Sequence, residues 1–155
     1  MLFVQQQVLS RNRTELIIFP YRYNNGLKKI GKNFCNEFPH AYEYLEKYRD
    51  ELEKSNKDSG ALWFEYGRSQ ALTKINTEKL LISPIVSNKV NVTKLNQLYI
   101  PYSGIVITPR NNNLLTEAKR ILESEDFFRY IESIGIKSNG NSIRISVTDI
   151  KKYKY

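Results

Sequence analysis

One apolar stripe of helical period dominates the middle of the chain. Between residues 38 and 52 the apolar side chains recur at intervals of three and four, the spacing of one face of an α-helix. These side chains belong to Phe38, Ala41, Tyr42, Leu45, Tyr48 and Leu52. Pro39 suits the first turn of such a helix, where its missing N–H is not needed. The pattern predicts one long amphipathic helix from Phe38 to about Lys57, ending at the breaker cluster SNKDSG.

Segments with the composition of β-strands lie on both sides of this helix. Two runs at 2–9 and 14–21 flank the polar stretch SRNR, which predicts a β-hairpin. A buried strand is expected at 79–86, with Pro84 near its end, because proline cannot donate to a sheet. Three more strands are predicted at 97–100, 105–108 and 143–147. The stretch between the first hairpin and the helix, RYNNGLKKIGKNF, is interpreted as a basic loop.

Two further helices are predicted in the C-terminal part. One covers about 114–123, and Ser124 is a suitable cap for the next, which runs through Phe128 and Ile134. The last residues, TDIKKYKY, are interpreted as a basic tail. No repeat or long linker divides the 155 residues. We therefore expect a single α+β domain over 1–155, with a mixed or antiparallel sheet, one long amphipathic helix and a C-terminal helical pair.

The composition argues against several kinds of site. A single cysteine, Cys35, permits no internal disulfide and favours a reducing cytoplasm; with a single histidine, His40, no Cys/His zinc site can be built. No apolar run approaches the ~20 residues of a membrane span, and the N-terminus lacks a signal-peptide pattern. No glycine-rich phosphate loop precedes a helix. We expect no catalytic residue, bound cofactor or metal in this chain, although the composition leaves an all-carboxylate metal site open.

Positive charge is concentrated in three blocks of a chain whose formal net charge is +8. Residues 1–36 carry six Lys or Arg against one acid, residues 59–115 carry six against two, and residues 136–155 carry five against one. The intervening segments are net acidic and coincide with the most helical patterns. Segregated positive charge favours a polyanionic partner, provided that the blocks converge in the folded chain.

Residues 62–70, LWFEYGRSQ, combine the single tryptophan with a tyrosine and an arginine. Arginine matches phosphates or the guanine edge, and aromatic faces stack on bases or sugars. The candidate DNA contacts in this segment are Trp63, Tyr66, Arg68 and Gln70. The alternative is a packed corner, in which Trp63 and Phe64 lie under the long helix and Arg68 pairs with an acid.

Polar loops and the C-terminal basic block supply the other candidates. Asparagine can pair with adenine, and lysine or arginine can address guanine or phosphate. A turn role explains each asparagine equally well, because this residue tolerates unusual backbone angles. The C-terminal candidates are expected to contact phosphates rather than bases. The polar loops and the C-terminal block together supply the candidates Arg22, Asn24, Asn25, Lys28, Lys29, Arg110, Asn111, Asn112, Lys137, Asn139 and Arg144.

The order of several motifs resembles a known family. The segments IIFPYRY, FPHAYEYLEKYRDELEK, WFEYGRSQ and KLLISPIV follow one another, and LLTEAKRILESEDFFRYIESIGIKSNGNSIRISVTDIKKY continues the pattern. Over roughly residues 14–153 the chain resembles the TaqI-like C-terminal specificity domain. In that family the domain follows the catalytic domain of adenine-N6 DNA methyltransferases from restriction–modification systems.

The resemblance implies a target-recognition domain that holds duplex DNA opposite a catalytic domain, which binds S-adenosylmethionine and flips the adenine. The family's Asn/Asp-Pro-Pro-Tyr tetrapeptide is missing here, since the Pro-Tyr pairs follow Phe19 and Ile100. A glycine motif for S-adenosylmethionine is missing as well. The resemblance therefore implies that catalysis and cofactor reside in a separate N-terminal domain.

Sequence-specific recognition of double-stranded DNA is the function that we expect from these observations. The expected setting is a monomeric chain in the cytoplasm, partnered with a methyltransferase domain or fused restriction enzyme and independent of membranes. Two alternatives stay open: a protein-interaction or scaffolding module that docks another subunit, and a small RNA-binding domain. The Lys/Arg-Gly-Phe pattern of the commonest RNA-binding fold is missing.

Overall fold

Runs of strands and runs of helices follow one another along the chain, and the strands are mostly antiparallel, which confirms the predicted α+β class. The computed structural model describes residues 4–9, 13–67, 69–110, 114–138 and 140–155. Its strands are β1 (Val4–Leu9), β2 (Arg13–Ile18), β3 (Tyr21–Tyr23), β4 (Leu27–Lys29), β5 (Lys79–Ile82), β6 (Ile85–Val86), β7 (Val92–Leu95), β8 (Tyr99–Pro101), β9 (Ile105–Ile107), β10 (Ile136–Lys137) and β11 (Ile143–Arg144). Its α-helices are α1 (Phe34–Glu37), α2 (Pro39–Glu46), α3 (Arg49–Glu53), α4 (Leu115–Leu122), α5 (Glu125–Ile134) and α6 (Val147–Lys152).

The strands form small sheets rather than one large one. β1 pairs antiparallel with β2, as predicted for the first hairpin, and parallel with β8. β5 lies between β7 and β9, and β11 lies between β10 and β6, all antiparallel. β3 and β4 form a separate two-stranded hairpin. The single strand predicted at 79–86 is thus two strands in different sheets, divided at Pro84, whose carbonyl accepts from Ile145 N–H.

The predicted long helix is interrupted at Tyr48. The backbone there has φ −113° and ψ 16°, and Tyr48 N–H donates to the carbonyl of Leu45, three residues back. Helix α3 then restarts and brings the Arg49 guanidinium to 5.2 Å from the centroid of the Trp63 ring. The apolar period continues through the break, so the sequence pattern did not reveal it.

The two segments interpreted as a basic loop and a basic tail contain regular secondary structure. The basic loop at 22–34 contains the β3–β4 hairpin, whose turn places Asn25 at φ 49° and Gly26 at φ 117°. Asparagine and glycine tolerate these positive φ values better than other residues do. The C-terminal tail contains α6, which begins with a capping box: Ser146 Oγ accepts from Asp149 N–H, and Asp149 Oδ2 accepts from Ser146 N–H.

The buried side chains divide into two main groups. In the C-terminal part, α4 and α5 pack on β5, β7 and β9 through a core in which Phe127 and Ile131 are fully buried. Ser124 caps α5 as predicted, accepting from Phe127 N–H at 3.2 Å. In the N-terminal part, Phe19, Tyr21 and Leu72 form one cluster, and Phe34, Ala41 and Phe64 form another. The segment at 62–70 therefore belongs to the same packing region as the β3–β4 hairpin.

Candidate nucleic-acid interface

The β3–β4 hairpin has one face in the core and one face in solvent. Side chains alternate along a strand, so Tyr21 and Tyr23 pack into the core with Leu27, while Arg22 and Lys28 are exposed. Arg22 and Lys28 are direct cross-strand partners. Like charges in directly opposed positions destabilise a hairpin. The Glu37 carboxylate, which pairs with Arg22, reduces this repulsion, and the two cations form a small cationic surface beside the Asn24–Asn25 turn.

Three tyrosines connect the hairpin by hydrogen bonds to the segment at 62–70 and to Leu72, which follows that segment. Tyr66 N–H donates to the Tyr21 hydroxyl at 2.9 Å, and the Tyr66 hydroxyl donates to the Ile18 carbonyl at 2.6 Å. The Tyr23 hydroxyl donates to the Leu72 carbonyl at 2.9 Å. Burial raises the pKa of Tyr21 and that of Tyr23 to about 12, and it raises the pKa of Tyr66 further. Tyr66, predicted as a DNA contact, is turned inward and supports the hairpin from behind.

The three cations of the hairpin have different electrostatic surroundings. Arg22 forms an ion pair with Glu37, and its guanidinium lies 6.0 Å from the centroid of the Phe38 ring. Lys29 Nζ lies 2.7 Å from Glu65 Oε2. Lys28 has no acidic partner among the residues that the structure describes. Only Lys28 is thus fully available to an external anion.

Glu65 is a residue of this region that the sequence analysis did not predict. Its side chain is 1% exposed, and its Oε2 accepts from Lys29 Nζ and from Leu62 N–H at 3.0 Å. Its Oε1 has no hydrogen-bond partner within the described residues. A buried carboxylate needs a partner to remain charged. The available signal was a lone acid among the aromatic residues of LWFEYGRSQ, which indicates an internal ion pair.

Trp63 and Phe64 form the packed corner considered as the alternative to DNA contact. Trp63 is half-buried, with its ring edge-on to Tyr42 at 5.4 Å and to Phe64 at 5.3 Å. The Arg49 guanidinium lies 5.2 Å from the centroid of the Trp63 ring, an arrangement that favours cation–π attraction. Stacking of a DNA base on that face of the indole would require Arg49 to move.

The other candidate residues lie in several places. Asn24, Asn25, Gln70 and Arg110 are exposed. Gln70 begins a 3₁₀ turn, Gln70–Lys74, next to the tyrosine network. Four predicted contacts fall outside the described residues: Arg68, Asn111, Asn112 and Asn139.

Lys137 and Arg144 belong to the sheet that packs on the C-terminal core. Because Lys137 is paired with Ile143 and Arg144 with Ile136, the two cations project from opposite faces of this sheet. Lys137 lines an open cavity of about 530 Å³ together with Glu132 and other residues. Among the described candidates, these two cations are thus not packed with the hairpin.

One cation of the middle basic block is withdrawn from the surface. Lys79 is fully buried, and its Nζ donates to the carbonyls of Ile75 at 2.6 Å, Thr77 at 2.9 Å and Asn96 at 2.9 Å. Burial lowers the pKa of Lys79 to about 8. This lysine orders the start of β5 and cannot contact a phosphate.

A metal-binding group and a membrane-spanning helix are both absent from the ranges given above. In those ranges, no three or more His, Cys, Asp or Glu side chains are grouped so that they could hold a metal ion. Likewise, none of the helices in the described part of the chain combines the length and the apolar character required to cross a membrane. Comparison of the chain with family models, with curated proteins and with solved structures finds no match.

Proposed function

We propose that this chain recognises duplex DNA as the target-recognition domain of an adenine-specific DNA methyltransferase or fused restriction–modification enzyme. Catalysis and S-adenosylmethionine binding then belong to a separate N-terminal domain. The observation that carries the proposal is the solvent face of the β3–β4 hairpin, where Arg22 and Lys28 oppose each other beside an Asn-Asn-Gly turn. The resemblance of the motif order to the TaqI-like specificity domain supports the same function.

The physical argument starts from the two cations on the exposed face of the hairpin: Lys28 has no acidic partner among the described residues, and Arg22 is paired with the exposed Glu37. A polyanion gives Lys28 a partner and can replace Glu37 at Arg22, so both cations gain favourable contacts on DNA. The major groove of B-DNA admits a two-stranded β-ribbon. In that position Asn24 and Asn25 at the tip can hydrogen-bond to base edges, while Arg22 and Lys28 address phosphates or guanine. The hairpin is held rigidly by the tyrosine network, which limits the entropy lost on binding.

The test is a titration of labelled duplexes of mixed sequence, followed by fluorescence anisotropy at several salt concentrations. Phosphate contacts predict a linear decrease of log K with log salt concentration, with a slope of about −0.9 for each phosphate neutralised. Single-stranded RNA competitors distinguish DNA from RNA recognition in the same assay. A duplex affinity that does not change between low and physiological salt concentration contradicts the proposal.

The variant Arg22→Ala/Lys28→Ala tests the hairpin directly. We expect at least a tenfold loss of duplex affinity and a salt slope shallower by between about 0.9 and 1.8, because Lys28 neutralises one phosphate and Arg22, which Glu37 partly holds, contributes up to one more. The matched control is Arg129→Ala/Lys47→Ala, which removes one ion-paired arginine from α5 and one exposed lysine from the turn between α2 and α3. If both double variants lose affinity equally, net charge rather than the hairpin accounts for binding.

A second candidate function, docking of another protein, is favoured by one observation. Tyr44 of α2 and Tyr48 at the break before α3 are 53% and 45% exposed, and their ring centroids lie 5.4 Å apart. Tyrosines are enriched at protein interfaces because they combine apolar area with a polar group. Absence of both DNA and RNA binding in the titration favours this candidate, and the two tyrosines are then the side chains to replace.

A further inference from the structure

We propose that Glu37 is a specificity-determining residue that competes with DNA phosphate for Arg22 and thereby restrains sequence-independent binding. This inference rests on the proposed function. The ion pair Arg22–Glu37 occupies the solvent face of the β3–β4 hairpin, the surface assigned above to DNA. A phosphate that approaches Arg22 therefore meets a guanidinium that already has a carboxylate partner.

The exposure of this pair makes it exchangeable. The Arg22 and Glu37 side chains are 49% and 34% exposed, so water can solvate both charges when they separate. Exposed ion pairs shift an equilibrium by only about 1.5- to 5-fold. Arginine binds phosphate oxygens with the same forked geometry that it uses for carboxylates. Arg22 can thus leave Glu37 for DNA at a small energetic cost.

The neighbouring pair on the same hairpin shows the opposite behaviour. Glu65 is 1% exposed, so withdrawal of Lys29 leaves a buried carboxylate without its counter-ion. Lys29 is therefore held in place, whereas Lys28 has no acidic partner in the described part of the chain. Of the three cations, Arg22 alone is both paired and readily released.

The consequence concerns binding to arbitrary sequences. Sequence-independent association depends almost entirely on phosphate neutralisation. Because Glu37 already neutralises Arg22, a phosphate contact made by Arg22 gains less than one made by a free cation. Complexes in which the hairpin also bonds base edges compensate for the lost ion pair, whereas arbitrary sequences do not.

The experiment measures affinity of the full chain for a mixed-sequence duplex across a salt series. Glu37→Gln removes the competing charge and is expected to tighten binding about two- to fivefold, with a salt slope steeper by up to about 0.9. In an Arg22→Ala background, Glu37→Gln is expected to change neither quantity. Glu78→Gln is the matched control, because it removes an exposed carboxylate that is paired with Lys94 elsewhere.

Each outcome supports or overturns the inference. Tightening by Glu37→Gln that disappears without Arg22, while Glu78→Gln changes little, supports it. Equal tightening with and without Arg22, or equal tightening by Glu78→Gln, shows a general charge effect and overturns it.

If wild type binds duplex and Glu37→Gln binds identically, the inference fails but the proposed function stands. If none of the variants binds duplex at low salt, the proposed function itself fails, and this inference with it. Circular dichroism spectra establish that each variant is folded.

Discussion

At the residue scale, the same cationic charge has different consequences at adjacent positions of one hairpin. Lys28 projects into solvent, whereas Lys29 extends to a carboxylate that is almost completely buried. Lys29 is itself 43% exposed, but its Nζ is bound to the Glu65 carboxylate, which is 1% exposed. Charge counting along the sequence treats the two residues as equal contributors to a DNA surface, although one of them is bound to a buried acid of the fold.

Replacement of Lys29 by alanine should therefore destabilise the fold. We expect Lys29→Ala to lower the free energy of unfolding by about 2–4 kcal/mol, because Glu65 loses its partner. Lys28→Ala, the matched control, should change it by less than about 0.5 kcal/mol. Urea unfolding followed by circular dichroism provides the measurement. Adding Glu65→Gln to Lys29→Ala should recover part of the loss, and equal stability of the two lysine variants would contradict the role given to this pair.

At the scale of elements, the segment at 62–70 supports the hairpin through Tyr66 and is itself held by close backbone contact with the loop after α3. The carbonyl of Gly67 accepts from Asp58 N–H at 3.0 Å. A Cβ atom at position 67 would lie 2.1 Å from the backbone carbonyl oxygen of Asn56, closer than real contacts permit. Glycine is thus required here by the approach of two backbone segments, and this approach sets the position of Trp63 and Tyr66.

The element-scale prediction concerns Gly67→Ala. This variant should lower the free energy of unfolding by about 1–3 kcal/mol, because the backbone at Asn56 must move to admit the methyl group. Gly60→Ala in the preceding loop is the control: its Cβ would meet no atom within 4 Å, although its φ of +77° carries a cost of about 1–2 kcal/mol. Thermal unfolding of both variants compares the two effects. A smaller loss for Gly67→Ala than for Gly60→Ala contradicts the steric argument.

At the scale of the whole molecule, buried ionisable groups make stability depend on alkaline pH. Tyr21, Tyr23 and Tyr66 keep their protons in the folded chain to higher pH than in the unfolded chain, where tyrosine ionises near pH 10. The folded state therefore binds more protons between pH 10 and 12. Lys79 has the opposite sign, since burial lowers its pKa from 10.5 to about 8, but its contribution is complete by about pH 10.5.

We accordingly expect the free energy of unfolding to fall as the pH rises from about 10.5 to 12. The stabilisation from the buried tyrosines is fully present below pH 10 and is lost as the pH passes through their folded pKa values. Urea unfolding at a series of pH values measures the slope. Lys79→Met should remove the opposing rise in stability between pH 8 and 10.5 and leave the fall above that range unchanged. Constant wild-type stability up to pH 12 would contradict the burial of the three hydroxyls.

The charge distribution of the whole molecule bears on the original expectation of a continuous cationic surface. Arg22 and Lys28 share one hairpin, but Lys137 and Arg144 lie on opposite faces of a sheet in the C-terminal packing group. Lys79 is internal. Among the described candidates, the exposed cations are thus distributed over separate parts of the fold, with Arg22 and Lys28 together on the hairpin, and the contact of the other blocks with DNA stays a prediction.

The sequence by itself determined the features that depend on neighbours within a few residues. The β1–β2 hairpin, α4, α5 and the Ser124 cap follow from hydrophobic period and turn chemistry, which act locally. Only the tertiary structure decided the break at Tyr48 and the electrostatic state of each cation. Arg22 pairs with a carboxylate 15 residues away and Lys29 with one 36 residues away. Such partners are set by packing of distant segments, so no local pattern encodes which lysine is free and which is bound.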